Sequence, residues 1–473
     1  MLQHGNRLLL PVLLLALSVA GCRDETVVFP DRDLIGGVGA AAGGYLGYAN
    51  PATNLTVCGA CHVGQQRRWQ ETAHAGAWLT LQQSGAAQQL CEACHTVTHL
   101  GNRVAEPGVG FQALAEDRFH DVQCEACHGP GLHHVRNPDA AGNIPHASIN
   151  AGVGMNGTCA ECHSGFHHPF VDEWQDSRHG RVLAAPANNP ECRSCHEGKA
   201  ALEQMGIRAN YLERGSTQHI AITCAVCHDP HENAFDGQLR YSINVPSEQE
   251  NLCMRCHQKR GQPDPTTFRG PHAPEGPLLL GDAGWWPPNM PLEPGERIAT
   301  THGSVANPRL CAGCHVNDYT AQDAVTGEPI ITTGHSFQAT PCTDAGGTPT
   351  GERDCDVAQR SFQTCTAAGC HASQATARNA QQLARQRLLS LAATLNAQLA
   401  LVPAAEFDPN DGVYTTAEGA RFNAQLAVFR GTEVHNPFLA EALLIASIQQ
   451  VQRDYGVGPG STTSLDYTLG AAH

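Results

Sequence analysis

The chain has 473 residues, with 29 Lys and Arg against 45 Asp and Glu and a formal charge of −16. With only two lysines, Lys199 and Lys259, so acidic a balance excludes a nucleic-acid-binding face. Aromatic residues make up 5% and apolar residues 41%, too thin for one large side-chain core, so the 21 cysteines and 26 histidines must account for the fold.

At the N-terminus, Arg7 precedes an apolar stretch from Leu8 to Ala20, too short to span a bilayer and of the length of a signal-peptide core. It ends in Val19-Ala20-Gly21-Cys22, which resembles a bacterial lipobox. Residues 1–21 are therefore expected to be a lipoprotein signal and Cys22 a lipidated residue; the plain alternative is a cleaved signal with an incidental cysteine. Residues 22–57, rich in Gly and Ala between 34 and 50, are expected to be a flexible tether. With no other long apolar segment, anchoring would rest on acyl chains.

Eight C-x-x-C-H strings follow: Cys58/Cys61/His62, Cys91/Cys94/His95, Cys124/Cys127/His128, Cys159/Cys162/His163, Cys192/Cys195/His196, Cys224/Cys227/His228, Cys253/Cys256/His257 and Cys311/Cys314/His315. A ninth, Cys365/Cys370/His371, is stretched to C-x4-C-H. Composition alone predicts roughly 0.05 such strings, so chance is excluded. Two thiols at this spacing reach the vinyl groups on one porphyrin edge, and the following histidine is carried under the ring to the iron. A zinc ribbon would need two cysteine pairs per metal and no histidine fixed behind the second. Nine covalent haems c are expected, in a compartment outside the cytoplasmic membrane.

The motifs are nearly evenly spaced up to Cys253, which predicts a seven-haem quasi-repeat over 58–257. Trp69-Gln70-Glu71-Thr72-Ala73-His74 behind the first motif matches Trp174-Gln175-Asp176-Ser177-Arg178-His179 behind the fourth, so motifs one to three and four to six look duplicated. Residues 258–375 read as a Pro/Gly-rich connector carrying haems eight and nine, with 258–310 a long ordered loop, either a wrapping connector or a functional lid. Residues 376–473 predict a helical bundle: one helix over 377–402, one over 417–430 stopped by Gly431, and one capped by Asn436 with Pro437 in its first turn. This bundle is expected to be the chain's one conventional apolar core. The fold class expected is mostly α and irregular coil, elongated and organised around stacked haems. Cys342 and Cys355, with no histidine behind them, are expected to form a disulfide.

Setting aside the nine proximal histidines, His4 and His473, fifteen histidines remain for nine distal positions. Bis-histidine ligation is therefore expected throughout, which suits electron transfer because no position is open to substrate. The distal candidates are His74, His179, His231 and His435, then His134, His168, His219, His302 and His335; His120, His146 and His272 stay open. His231 and His99, close behind His228 and His95, cannot reach the far face of their own haem and are expected to serve a neighbour.

The His128-Gly129-Pro130-Gly131, W-Q-x-[ST]-x-H and His228-Asp229-Pro230-His231 segments resemble the multihaem c-type cytochromes of the periplasm and outer membrane that feed external acceptors. Val434-His435-Asn436-Pro437 is similar to the C-terminal part of the nitrite reductase, hydroxylamine oxidoreductase and octahaem tetrathionate reductase group. The chain lacks the C-x-x-C-K motif of cytochrome c nitrite reductase, and nothing marks Tyr211 or Tyr241 as a cross-linked tyrosine. The resemblance implies an electron carrier rather than an enzyme: an outer-membrane lipoprotein, periplasmic or cell-surface, passing electrons from periplasmic donors to an outer-membrane or extracellular acceptor. Its expected partners are other redox proteins, periplasmic or outer-membrane cytochromes or a porin. The alternatives are a nitrogen or sulfur oxyanion reductase with one open haem, and a subunit of a polymeric haem wire.

Overall fold

A computed structural model describes residues 38–458 except 153–157, 166, 267, 291, 293–295, 323–325 and 410. The signal segment, the lipobox with Cys22, and His473 lie outside the described residues.

Most of the chain is irregular, punctuated by helices of four to seven residues such as α1 (Phe170–Asp176) and α2 (Glu275–Leu280). Helices this short do not stand alone in water, so what they pack on holds them. Among the described residues, regular strands amount to two small antiparallel pairs, β1 (Tyr48–Asn50) with β2 (Leu55–Thr56) and β3 (Tyr319–Gln322) with β4 (Pro329–Thr332). Cys342 and Cys355 are joined as a disulfide. Among the described residues no helix is long and apolar enough to cross a membrane.

The C-terminal helices pack together. Helix α3 (Gln374–Leu399) starts at a Ser373 cap and ends ahead of Pro403; α4 (Thr416–Ala427) starts at a capping box between Thr415 and Glu418; α5 (Pro437–Tyr455) is capped by Asn436. Their shared core contains Leu388, Leu395 and Leu399 from α3, Ala417, Ala420 and Ala424 from α4, and Leu444, Ile448 and Val451 from α5. Gly431, expected to stop α4, instead takes φ +90° as the cap of a single turn, Thr432–His435. A side chain is disfavoured there, and the turn aims His435 inward.

Two expectations need correction. Within the expected tether, Ala42, Tyr45, Leu46 and Tyr48 are buried, because the small residues around them let the backbone run close to the third motif. Glu125 accepts hydrogen bonds from the amides of Leu46 and Gly47, both at 2.8 Å, and Tyr48 donates to Asp121 at 2.8 Å. The C-terminal bundle is also not the chain's one apolar core. Phe119, Phe111 and Val97 close over Tyr45, Val226 packs with Leu202 and Tyr211, and Trp174 packs with Val171.

Nor is the bundle separate from the connector before it. Leu278 and Ala283 share a core with Phe422, Leu426, Leu439 and Leu443. Asn423 accepts from the Trp285 amide (2.8 Å) and donates to the Trp285 carbonyl (2.7 Å) and Ser447 Oγ (2.9 Å). A Cβ on Gly419 would run into the Trp285 ring, so glycine is needed for this approach. Asn423→Leu strips both backbone partners from Trp285; each buried unsatisfied group costs ~1–3 kcal/mol. The variant is expected to lose about 2–4 kcal/mol in chemical denaturation followed by far-UV circular dichroism.

Candidate functional site

Each motif folds as a single turn. The amide of the histidine donates to the carbonyl of the first cysteine, at 2.9 Å from His62 to Cys58, 2.8 Å from His163 to Cys159, 2.8 Å from His228 to Cys224 and 3.1 Å from His257 to Cys253. The stretched motif closes the same way, His371 to Cys365 at 3.1 Å. Its two extra residues are absorbed in a tight turn, Ala367–Gly369, in which Gly369 has φ +75°.

Opposite the motif histidines stand other histidines at a repeated spacing. Ring centroids lie 6.2 Å apart for His62 and His134, 6.2 Å for His163 and His74, 6.1 Å for His128 and His231, and 6.1 Å for His257 and His179. The series continues with 6.0 Å for His196 and His272 and 6.2 Å for His228 with His335, His371 with His302, and His315 with His435. His168 lies within electrostatic reach of His95 and edge-on to His163 at 6.1 Å; since His74 already faces His163, His168 is left for His95.

Rings in direct contact sit closer: Trp78 and His120 stack at 4.0 Å. An iron between two imidazoles, about 2 Å from each nitrogen, sets the centroids roughly 6 Å apart. The pairs have that spacing at interplanar angles from 22° to 78°, so what repeats is the gap and not ring-on-ring packing. With two thiols beside each gap, the residues fit haem c. Among the described residues no three His, Cys, Asp or Glu side chains converge as on a metal ion.

The second ring nitrogen is engaged at most sites. Nδ1 meets a backbone carbonyl in His95 (Ala77, 2.8 Å), His128 (Pro145, 2.6 Å), His228 (Gly237, 2.6 Å), His302 (Val434, 2.7 Å) and His315 (Phe337, 2.9 Å). An Nδ1–H held this way leaves Nε2 as the lone-pair nitrogen facing the gap. His231 and His257 use carboxylates instead, Asp229 at 3.3 Å and Glu275 at 3.4 Å. Burial pushes His163, His179, His335 and His435 down to about 4, keeping these imidazoles neutral, the form a metal requires.

Thiols of different motifs also meet. Cys58 lies close enough to act on Cys124, Cys159 on Cys224, and Cys311 on Cys253, in each case first cysteine to first. Cys94 lies likewise close to Cys162, and Cys195 close to Cys256, second to second. Cys61 and Cys370, from the first and ninth motifs, are the exposed motif cysteines; the others are partly buried.

Eight of the nine distal candidates therefore stand across from, or within reach of, a motif histidine. His231 faces His128 and not its neighbour His228, as its position three residues behind the motif requires. His219 is the exception: its Nε2 is 3.0 Å from the Asn188 Oδ1, so the nitrogen an iron would need is engaged. His272 takes the corresponding place, opposite His196. His120 stacks on Trp78, and His99 Nδ1 meets Gln112 Oε1 at 3.1 Å. Sequence offered one faint sign for His272, its position shortly behind the seventh motif, as His134 follows the third. His272→Met should raise the potential of one haem, since a thioether ligand favours ferrous iron, while His219→Met should leave every potential in place; spectroelectrochemical titration of the two variants separates them.

Residues 57–129 match the family described as cytochrome c554 and c-prime, and residues 175–258 match cytochrome c3. The chain is also similar to the multiheme cytochrome MtrA of Shewanella baltica (strain OS185), 28% identical over 221 residues. That match covers 44% of this chain and spans 59% of the relative's length. No solved structure matches the chain. Motif chemistry, the spaced imidazole pairs and these matches agree: the chain is a multihaem c-type cytochrome, distantly related to MtrA.

Proposed function

We propose that the chain binds nine covalent haems c, one per motif, and carries electrons between periplasmic donors and an outer-membrane or extracellular acceptor. The observation that carries this reading is the set of imidazole pairs held 6.0–6.2 Å apart. When bound, haem c supplies reversible one-electron exchange at its iron. The chain's residues do the rest: the cysteine pairs fix each ring edge, and each proximal histidine and its partner fill both axial positions. Filled positions favour a carrier over an oxyanion reductase. The thiol contacts between motifs favour closely spaced sites, since outer-sphere transfer needs neighbouring rings near one another.

The exposed Cys61 and Cys370 suit the first and ninth motifs to contacts with redox partners, periplasmic or outer-membrane cytochromes or a porin. Eight of the nine motif histidines face another histidine of the same chain at this spacing, with His168 the candidate for the ninth, His95, so this reading needs no axial ligand from a neighbouring protomer of a filament. Attachment to the outer membrane, on its periplasmic or cell-surface side, rests in this reading on a lipidated Cys22.

Intact mass should show nine haems on each chain, and the reduced protein should change its spectrum little under CO, which needs an open or weakly held position. Stoichiometric CO binding would favour the reductase alternative. Replacing Cys22 by Ser should move the protein from the membrane fraction to the soluble one; a variant that stays with membranes would point to a protein anchor.

A further inference from the structure

The carboxylate of Glu275 stands where three of the paired sites come together. It accepts from His257 Nδ1 at 3.4 Å, and the next amide, Gly276 N–H, donates to the His257 carbonyl at 2.8 Å. The two contacts clamp one histidine from its ring and its backbone. A Cβ on Gly276 would lie 2.8 Å from that carbonyl oxygen, so α2 is pressed as close to the seventh motif as glycine allows. Helix α2, which Glu275 opens, packs against the turn Thr432–His435 and begins three residues after His272, so the same carboxylate lies within electrostatic reach of His435 and its facing partner His315 and of His272, which faces His196.

Its surroundings separate it from the other carboxylate on an axial histidine. Asp229, beside His231, is 2.8 Å from Arg240 Nη1, so most of its charge is balanced. Glu275 has no arginine or lysine at ion-pairing distance among the described residues. Among the described residues the side-chain partner of this half-buried carboxylate is His257.

We propose that Glu275 is a shared electrostatic anchor that lowers the reduction potentials of the sites built on His257/His179, His315/His435 and His196/His272, the first most strongly. A carboxylate accepting the Nδ1–H of an axial imidazole raises its basicity and stabilises ferric iron. An unbalanced anion does the same to nearby irons through space, with an effect that falls with distance and is little screened inside the protein. The inference rests on the ligation proposed above and adds which residue sets the low end of the potentials. Glu275 is a positioning and tuning residue; it occupies no axial position.

The test is spectroelectrochemical titration of the holoprotein at fixed pH, wild type against Glu275→Gln and Glu275→Asp, with haem content checked by intact mass. In Glu275→Gln three components should move to higher potential and six stay. The largest shift should fall on the component that His179→Met displaces, because His179 faces His257. Glu275→Asp retains the charge but withdraws it by one methylene from His257, so it should raise the His257 component and leave the other two near their wild-type values. Nine unmoved components in both variants, or one uniform shift of all nine, would overturn the proposal. A wild-type count below nine haems would instead defeat the ligation on which it rests.

Discussion

The gap between paired imidazoles is the constraint on which the rest of the structure depends, because the two rings of a pair come from different motifs. His134, behind the third motif, faces the first; His231, behind the sixth, faces the third; His335, behind the eighth, faces the sixth. In the other direction His74, behind the first motif, faces the fourth, and His179, behind the fourth, faces the seventh. His435, from the turn before α5, closes the series on the eighth. Each iron held in such a gap would thus cross-link segments far apart in sequence. Helices of four to seven residues, unstable alone, can persist in such a lattice, and a cofactor-free chain would lack its fasteners, as metal-free zinc domains do.

The acidity of the chain has a structural use within this lattice. Carboxylates bind backbone amides of loops and of a first helical turn, which no strand or helix ladder satisfies. Glu125 takes Leu46, Gly47 and Gly131; Glu197 takes Ala200 at 2.8 Å and Ile220 at 3.0 Å; Glu173 takes Thr333 and His335, both at 2.7 Å. The last of these sets the direction of His335, which faces His228, from a helix that follows the fourth motif. Buried amides left unpaired are costly, and an ionised acceptor makes a stronger bond than a neutral one. Part of the excess of Asp and Glu is therefore internal.

What could be read from the sequence follows from how local each feature is. A cysteine pair and the histidine behind it lie in one turn, so spacing reveals them, and the helices over 374–399 and 437–455 have periodicity and caps within their own length. Facing partners are set by the path of the whole chain. Position behind a motif pointed to His74, His179 and His231, but nothing local distinguishes His272 from His219; Asn188, distant in sequence, decides that His219 is engaged elsewhere. Gly and Ala between 34 and 50 suggested a tether for a similar reason. The carboxylate that fixes the stretch is Glu125, far along the chain, so composition could not show that small residues here allow close approach.

The thiol contacts show that the repeat extends past the interval where the motifs become sparse. Cys58 meets Cys124 with the second motif between them in sequence, and Cys159 meets Cys224 with the fifth between them. Trp69 Nε1 donates to the Val122 carbonyl at 3.1 Å, and Trp174 Nε1 donates to Ile222 at 2.8 Å, in each case two residues ahead of the next motif of that pair. Cys253 meets Cys311 by the same first-to-first contact, yet no motif lies between them. The interval 258–310 therefore holds the place that a motif fills in the two earlier units. Where those units gather around a motif turn, this one sends Leu278, Ala283 and Trp286 into the core made by α4 and α5. Side chains take over there the apolar contact that a porphyrin would supply, which is why the helical bundle attaches at this point and why its core cannot be separated from the connector.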